Sequence, residues 1–184
     1  MKGDKVRRFM ALAGQSTQSS FTAGTPEIRK LGAQLLLSEV LEYCIKGLGV
    51  IPEVNGVQIT KPDGLDYKVV HECNQEECID GLSDVAYTMY WNALAFGIPL
   101  EEAYDLVCDN NLEKFVKLGD WASGKKELSQ DEWGCRSGVE WPKEVVRVVV
   151  VEVDGDLYAV GKDERGKVRK PSTYSSVDLS VLLK

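Results

Sequence analysis

Hydrophobic side chains recur at helical spacing over much of the chain, and clusters of polar and turn-forming residues separate these recurrences. Apolar positions three and four residues apart line one side of a helix, so this periodicity is typical of packed helices. The pattern predicts a short N-terminal helix within residues 1–14 and three longer helices over residues 25–48, 75–96 and 99–118.

Turn-forming residues mark where the longer helices begin and end. Thr25 is a suitable N-cap, and Pro26 fits the first helical position because no backbone donor is needed there. Gly97 ends the helix over residues 75–96, and Pro99 starts the next one.

Two segments between the helices lack this periodicity. Residues 15–24 are small and polar, which predicts a loop. Residues 50–70 contain several glycine and proline residues, and they are predicted to form an irregular excursion. Asn55-Gly56 favours a short hairpin within that excursion, because both residues tolerate the positive φ of a tight turn.

The pattern changes after Gly119. Residues 119–142 show no clear period, whereas residues 145–153 are rich in valine and are followed by the turn signal Asp154-Gly155. Residues 157–160 can pair back on the valine-rich segment, which predicts a β hairpin. A basic and then serine-rich tail follows it to the end of the chain.

These elements predict a mainly α protein: a helical bundle core with a small C-terminal β hairpin and an extended tail. The core is expected to comprise residues 1–118. Residues 119–184 are expected to form a C-terminal appendage that belongs to the same domain.

The chain is acidic, with a formal net charge of -7 and a pI of about 4.9. This charge repels the phosphate backbone of nucleic acids at long range, so a nucleic-acid polymer is not the expected partner. No apolar run approaches the length of a transmembrane helix, and no membrane partner is expected. The odd number of cysteines, without a CxxC spacing, is typical of a reducing compartment and predicts a cytoplasmic protein.

The helix over residues 25–48 carries two carboxylates in an apolar background. Its second half contains only three charged residues, Glu39, Glu42 and Lys46, with hydrophobic residues on nearly all sides. A helix that is apolar almost all round is expected to be buried between other helices. Glu39 and Glu42 are three residues apart and therefore share one face.

The helix over residues 75–96 repeats this arrangement. Asp84 is the only charged residue after Gly81, Asp80 lies one turn before it, and Glu77 lies almost one turn earlier. These acids also share one face of the helix.

Crowded carboxylates need protons, basic partners or cations. Two like charges about 4 Å apart repel by roughly 4 kcal/mol at an effective dielectric near 20. Lys46 is the only base within the core of the two helices. Oxygen ligands favour hard ions, so the acids predict a site for Mg²⁺ or Mn²⁺. The alternative is that the acids are solvated or salt-bridged on helix surfaces.

In these residues the chain resembles the MazG-like all-α NTP pyrophosphohydrolases, which belong to the phosphoribosyl-ATP pyrophosphohydrolase-like superfamily. Their metal motif is ExxE on one helix and ExxD on the next. Within this family the chain resembles phage- and bacterium-encoded members, including the phage dGTP pyrophosphohydrolases of the MazZ type. The matching segments are Glu39-Val40-Leu41-Glu42, Asp80-Gly81-Leu82-Ser83-Asp84-Val85-Ala86-Tyr87, Asn111-Leu112-Glu113-Lys114-Phe115 and Gly166-Lys167-Val168-Arg169-Lys170-Pro171-Ser172-Thr173-Tyr174.

The resemblance implies an enzyme that converts an NTP or dNTP into the monophosphate and pyrophosphate, with dGTP as the first substrate to try. It implies that Glu39, Glu42, Asp80 and Asp84 hold the Mg²⁺ or Mn²⁺ ions that bridge the triphosphate and assist hydrolysis. The chain departs from the family at Gly81, where the second motif has a glutamate. Either Asp80 or Glu77 would then supply that ligand.

The resemblance also implies roles for residues that bind substrate. Asn111 would hydrogen-bond a phosphate and Lys114 would neutralise one, whereas Lys170 and Tyr174 would fold over the substrate. A mobile tail is the alternative for the last two. Trp91 is an aromatic candidate for holding the base, with a place in the core as its alternative.

Two other functions are compatible with the same residues. The scaffold could hydrolyse phosphoribosyl-ATP, or it could be a non-catalytic helical interaction module whose acids form salt bridges. The apolar helix faces are extensive for one small chain, and they predict a homodimer or homotetramer. A phage origin would place the protein in the host cytoplasm.

Overall fold

The computed structural model describes residues 3–183 of the chain. The helices in this range are α1 (Asp4–Leu12), α2 (Pro26–Glu42), α3 (Gln75–Phe96) and α4 (Leu100–Leu112). The strands are β1 (Glu53–Val54), β2 (Val57–Gln58), β3 (Val116–Leu118), β4 (Glu127–Leu128), β5 (Arg147–Val153) and β6 (Asp156–Lys162). Within the described range, no helix has the length and hydrophobicity needed to cross a membrane.

The chain forms two compact units. One, called the helical unit, comprises Gln18–Tyr87 and contains α2, the β1–β2 hairpin and the first part of α3. The other, called the sheet unit, comprises the described residues of Met1–Thr17 and Thr88–Lys184. It contains α1, the last part of α3, α4 and strands β3 to β6.

The N-terminal helix, the two following helices and the short hairpin are where the sequence predicts them. The Thr25 hydroxyl accepts a hydrogen bond from the Ile28 N–H at 3.3 Å, which caps α2 as expected. A π-helical turn, Tyr43–Gly47, continues α2 to the predicted end. Asn55 has a φ of 52°, which supports the β1–β2 turn.

The prediction for α4 is wrong at its C-terminal end. The helix stops at Leu112 instead of about Leu118, and residues Val116–Leu118 form β3. Val116 pairs with Ala159 and Leu118 with Leu157 on β6. This strand pairing and the burial of Phe115 outweigh the helical periodicity of the segment.

The predicted mainly α bundle is also wrong. The fold is mixed α/β, with 41% helix, 13% strand and two small antiparallel sheets. The expected hairpin is present as β5 and β6, but it forms the centre of a four-stranded sheet in the order β3-β6-β5-β4. The flanking strands have only two or three residues, so their periodicity was too short to be seen in the sequence.

The hydrophobic core lies on both faces of this sheet. On one face, Val148 and Ala159 pack with the buried residues of the segment between β3 and β5. On the other face, Val160 packs with Leu12 of α1 and with Phe115. Successive β5 valines point to opposite faces, which explains why this strand is apolar along its length.

The helical unit is much less buried than the sequence suggested. Leu41 is the only buried residue of α2, and Ala93 is the only one of α3. The expectation that these helices are enclosed by others is therefore wrong for a single chain. The large hydrophobic residues exposed on α2 and on the helical-unit part of α3 are Ile28, Leu31, Leu35, Leu36, Leu37, Val40, Ile79, Leu82 and Tyr87.

Candidate functional site

The α2 carboxylates lie on an exposed part of the helix. Glu39 and Glu42 are both exposed, and Glu42 accepts a hydrogen bond from Lys46 Nζ at 2.8 Å. This pair is an i,i+4 contact at the surface, which stabilises a helix by only a few tenths of a kcal/mol. Glu39 has no ion pair among residues 3–183.

The α3 carboxylates are exposed as well. Glu77, Asp80 and Asp84 have no lysine or arginine partner among residues 3–183. The backbone N–H of Glu77 points to the Asn74 side chain, which caps the start of α3. At Gly81 an added Cβ would meet no atom within 4 Å, so this position faces open space.

The described chain does not gather these acids into a metal site. Within residues 3–183, no group of three or more His, Cys, Asp or Glu side chains is placed to hold a metal ion. A Mg²⁺ ion needs several oxygen ligands in near-octahedral geometry. The acidic residues of a single chain, within residues 3–183, therefore do not provide the ligands that a Mg²⁺ ion needs.

The structure brings together four residues that the resemblance assigns to substrate binding. Lys114 Nζ donates a hydrogen bond to Asn111 Oδ1 at 2.5 Å and lies 5.9 Å from the centroid of the Tyr174 ring. Lys170 Nζ lies 4.4 Å from the same centroid. Both ammonium groups are within cation–π distance of one ring. We call Asn111, Lys114, Lys170 and Tyr174 the lysine–tyrosine cluster.

The end of α4 positions the first half of this cluster. Phe115 is buried and makes an edge-to-face contact with Phe9 of α1, with ring centroids 5.1 Å apart. The chain turns sharply there, since the Lys114 N–H bonds to the Asn111 carbonyl three residues earlier. Burial of Phe115 thus holds Lys114 beside Asn111 at the helix end.

Asn110 joins the two halves of the cluster, and the sequence did not single it out. This residue is 8% exposed, and its Oδ1 accepts a hydrogen bond from the Tyr174 hydroxyl at 2.5 Å. Its Nδ2 donates to the Ser175 carbonyl at 2.7 Å. The sequence offers no signal for Asn110 beyond its place next to Asn111, because its burial, and the need of a buried amide for partners, comes from the fold.

An ion pair between the buried Asp163 and the half-buried Arg169 attaches the tail that carries Lys170 and Tyr174. Asp163 accepts hydrogen bonds from the Lys167 N–H at 2.9 Å and from Arg169 Nη2 at 2.6 Å. Burial alone would raise the pKa of the Asp163 carboxyl, but the Lys167 N–H and the Arg169 guanidinium together lower it below its usual value. The tail is further held where the Ser172 N–H donates to the Glu140 carbonyl at 2.8 Å.

The lysine–tyrosine cluster offers donors suited to phosphate. Each lysine carries three N–H donors and a full positive charge, and the Asn111 amide adds further donors. The carboxylate next to the cluster belongs to Glu113, which accepts a hydrogen bond from the Ser175 hydroxyl at 3.4 Å. Trp91 takes no part in the hydrogen bonds and ring contacts of the cluster among residues 3–183, and it is 58% exposed.

Comparison with known proteins finds no relative of this chain. No protein-family model, no curated protein and no solved structure matches the chain. The similarity to the MazG-like enzymes therefore rests on the sequence motifs alone, and it stays a prediction.

Proposed function

We propose that the protein is a nucleoside triphosphate pyrophosphohydrolase, which converts an NTP or dNTP into the monophosphate and pyrophosphate. The observation that carries the proposal is the lysine–tyrosine cluster. Its members come from two segments about 60 residues apart, and both segments were assigned to substrate on sequence similarity alone. In the proposed complex, Lys114 and Lys170 neutralise phosphate oxygens and Asn111 donates a hydrogen bond to one.

The proposal includes Mg²⁺ or Mn²⁺, with Glu39, Glu42 and Asp84 as ligands together with Asp80 or Glu77. A bound divalent ion would supply charge neutralisation on the phosphates. Because one described chain does not assemble such a site, we propose that it forms in a homodimer or homotetramer. The apolar surface left exposed on α2 and α3 supports association, since exposed patches of this kind mark interfaces.

A panel of NTPs and dNTPs, including dGTP, tests the activity with the full chain and Mn²⁺. We expect monophosphate and pyrophosphate in equal amounts from at least one of them. Lys114→Gln and Lys170→Gln should each lower kcat/KM at least about tenfold, because a charge-assisted hydrogen bond contributes roughly 1.5–3 kcal/mol. Lys143→Gln, an exposed lysine outside the cluster, is the matched control and should retain the activity.

The outcomes separate this function from its alternatives. Turnover of phosphoribosyl-ATP in preference to every NTP and dNTP would favour the related pyrophosphohydrolase. A non-catalytic interaction module would release no monophosphate and would show no rise in Tm with Mn²⁺, since metal bound only to the folded state raises Tm. Equal activity in the two cluster variants and the control would remove the cluster from the site.

A further inference from the structure

A second basic site lies in the helical unit. The first turns of α2 and the extended segment Asp66–His71 line a groove of about 420 Å³ that is open to solvent. This volume is within the range of small-molecule sites. Its charged and titratable lining residues are Arg29, Lys30, Asp66, Lys68 and His71. Three permanent cations thus face one carboxylate, in a chain whose net charge is -7.

Arg29 is held in the groove with donors to spare. Its Nη1 donates a hydrogen bond to the His71 carbonyl at 3.0 Å, and its side chain is 21% exposed. The nearest carboxylate, Glu72, lies 4.0 Å from Nη2 and is 99% exposed, so this pair is weak. Within residues 3–183, Arg29 Nε is buried and has no hydrogen-bond partner.

Arg29 lines the groove, and its guanidinium is a hydrogen-bond donor for an anion. The orientation of Arg29 is fixed by a backbone carbonyl, so little side-chain entropy remains to be lost on binding. A planar guanidinium matches the paired oxygens of phosphate and carboxylate groups, so it is suited to binding an oxyanion.

His71 also lines the groove. Its Nδ1 lies 2.7 Å from the Glu72 carbonyl, and because a carbonyl only accepts, Nδ1 carries the proton. Nε2 is then an acceptor in the neutral ring and a second donor in the protonated ring. Tyr67 adds a half-buried aromatic ring to the lining.

We infer that this groove is an oxyanion site that binds the phosphate groups of a nucleotide or of pyrophosphate through Arg29, Lys30 and Lys68. The preference for an anion follows from the three cations that line the groove beside one carboxylate. The choice of a nucleotide as the carrier of the phosphates rests on the proposed function. The site is separate in sequence from the lysine–tyrosine cluster, and it needs no metal.

The single histidine of the chain makes the site directly observable. We would titrate the untagged full chain with inorganic pyrophosphate in EDTA at constant pH, and follow the ring signals of His71 by NMR. We expect saturable shifts in the wild-type protein. Lys68→Gln, and a double variant of Lys30→Gln with Lys68→Gln, should raise Kd at least about tenfold.

The controls keep the result specific. Lys61→Gln removes the same charge from an exposed lysine of the same unit outside the groove, and it should change Kd less than about twofold. Arg29→Gln should abolish binding of pyrophosphate. If the Arg29→Gln variant does not fold, the variants of the exposed residues Lys30 and Lys68 still test the inference. Absence of saturable His71 shifts, or equal Kd values in the double variant and in Lys61→Gln, would overturn the inference.

The same titration separates the inference from the proposed function. Pyrophosphate binding in EDTA without hydrolysis of any nucleotide would leave the groove in place and end the proposed activity. Hydrolysis with unchanged His71 signals would do the reverse. Guanosine, which has no phosphate, should not displace pyrophosphate, whereas dGTP should.

Discussion

At the scale of single residues, Gly161 is the position where packing permits no side chain. It lies in β6 at the centre of the larger sheet, and an added Cβ would overlap the ring of Trp141. That ring cannot move freely, since its Nε1 donates a hydrogen bond to the Trp133 carbonyl at 2.9 Å. Glycine is needed here because of this close approach, and its backbone φ is not positive.

We predict that Gly161→Ala lowers the free energy of unfolding of the sheet unit by about 1–3 kcal/mol, the usual cost of overpacking. Urea unfolding followed by tryptophan fluorescence measures it. Gly81→Ala is the matched control, because Gly81 lies inside a helix and faces open space. It should raise helix stability by about 0.5–1 kcal/mol. An unchanged midpoint for Gly161→Ala would contradict the packing described for Trp141.

The sequence identified most residues of the lysine–tyrosine cluster but not the one that connects them. Lys114 and Tyr174 stand in recognisable motifs, so similarity alone was enough to select them. Asn110 has no such motif, and its importance comes from being buried between two segments 64 residues apart. The groove at Arg29 was missed for the same reason, since only the fold brings residues 66–71 against α2.

At the scale of elements, the ion pair between Asp163 and Arg169 fixes how the tail leaves β6. The Asp163 carboxylate accepts two backbone N–H groups and the Arg169 side chain. Folding lowers the pKa of the Asp163 carboxyl. Its contribution to the stability of the folded protein is therefore complete at pH values above about 3.9, the pKa of an aspartate in the unfolded chain. The effect is lost as the pH falls through the folded pKa.

We predict that Asp163→Asn lowers Tm at pH 7 and weakens substrate binding by releasing the segment with Lys170 and Tyr174. The difference in Tm between wild type and variant should shrink as the pH is lowered from 5 towards 3. Thermal unfolding over that range measures it, with Glu164→Gln, an exposed neighbour, as control. A difference that grows at low pH would contradict the lowered pKa.

All four helices were predictable, apart from the C-terminal end of α4, because the signals that start and stop them are local. Thr25 and Pro26 define the start of α2, and Gly97 with Pro99 defines the end of α3 and the start of α4. Strands β3 and β4 were not predictable, since two or three residues carry no periodicity. They exist only because β5 and β6 offer edges for pairing, which is a tertiary effect.

At the scale of the whole molecule, the two units differ in how many of their hydrophobic side chains are buried within a single chain. The sheet unit has its core on both faces of the sheet. In the helical unit, Leu35, Leu82 and Tyr87 are 58%, 62% and 70% exposed. Apolar surface of this extent is expected to be covered by another molecule. The exposed acids lie on these same helices, so association and metal binding are expected to be linked.

The most direct test of the account is a Mn²⁺ titration of the full chain, with free Mn²⁺ measured by electron paramagnetic resonance. We expect saturable binding at concentrations where light scattering shows a homo-oligomer. Glu39→Gln and Asp84→Asn should each abolish that binding while the circular dichroism spectrum is retained, and the exposed control Glu53→Gln should bind as the wild type does. Wild-type Mn²⁺ binding in both acidic variants, or no binding by the wild-type protein, would contradict the proposed metal-dependent enzyme.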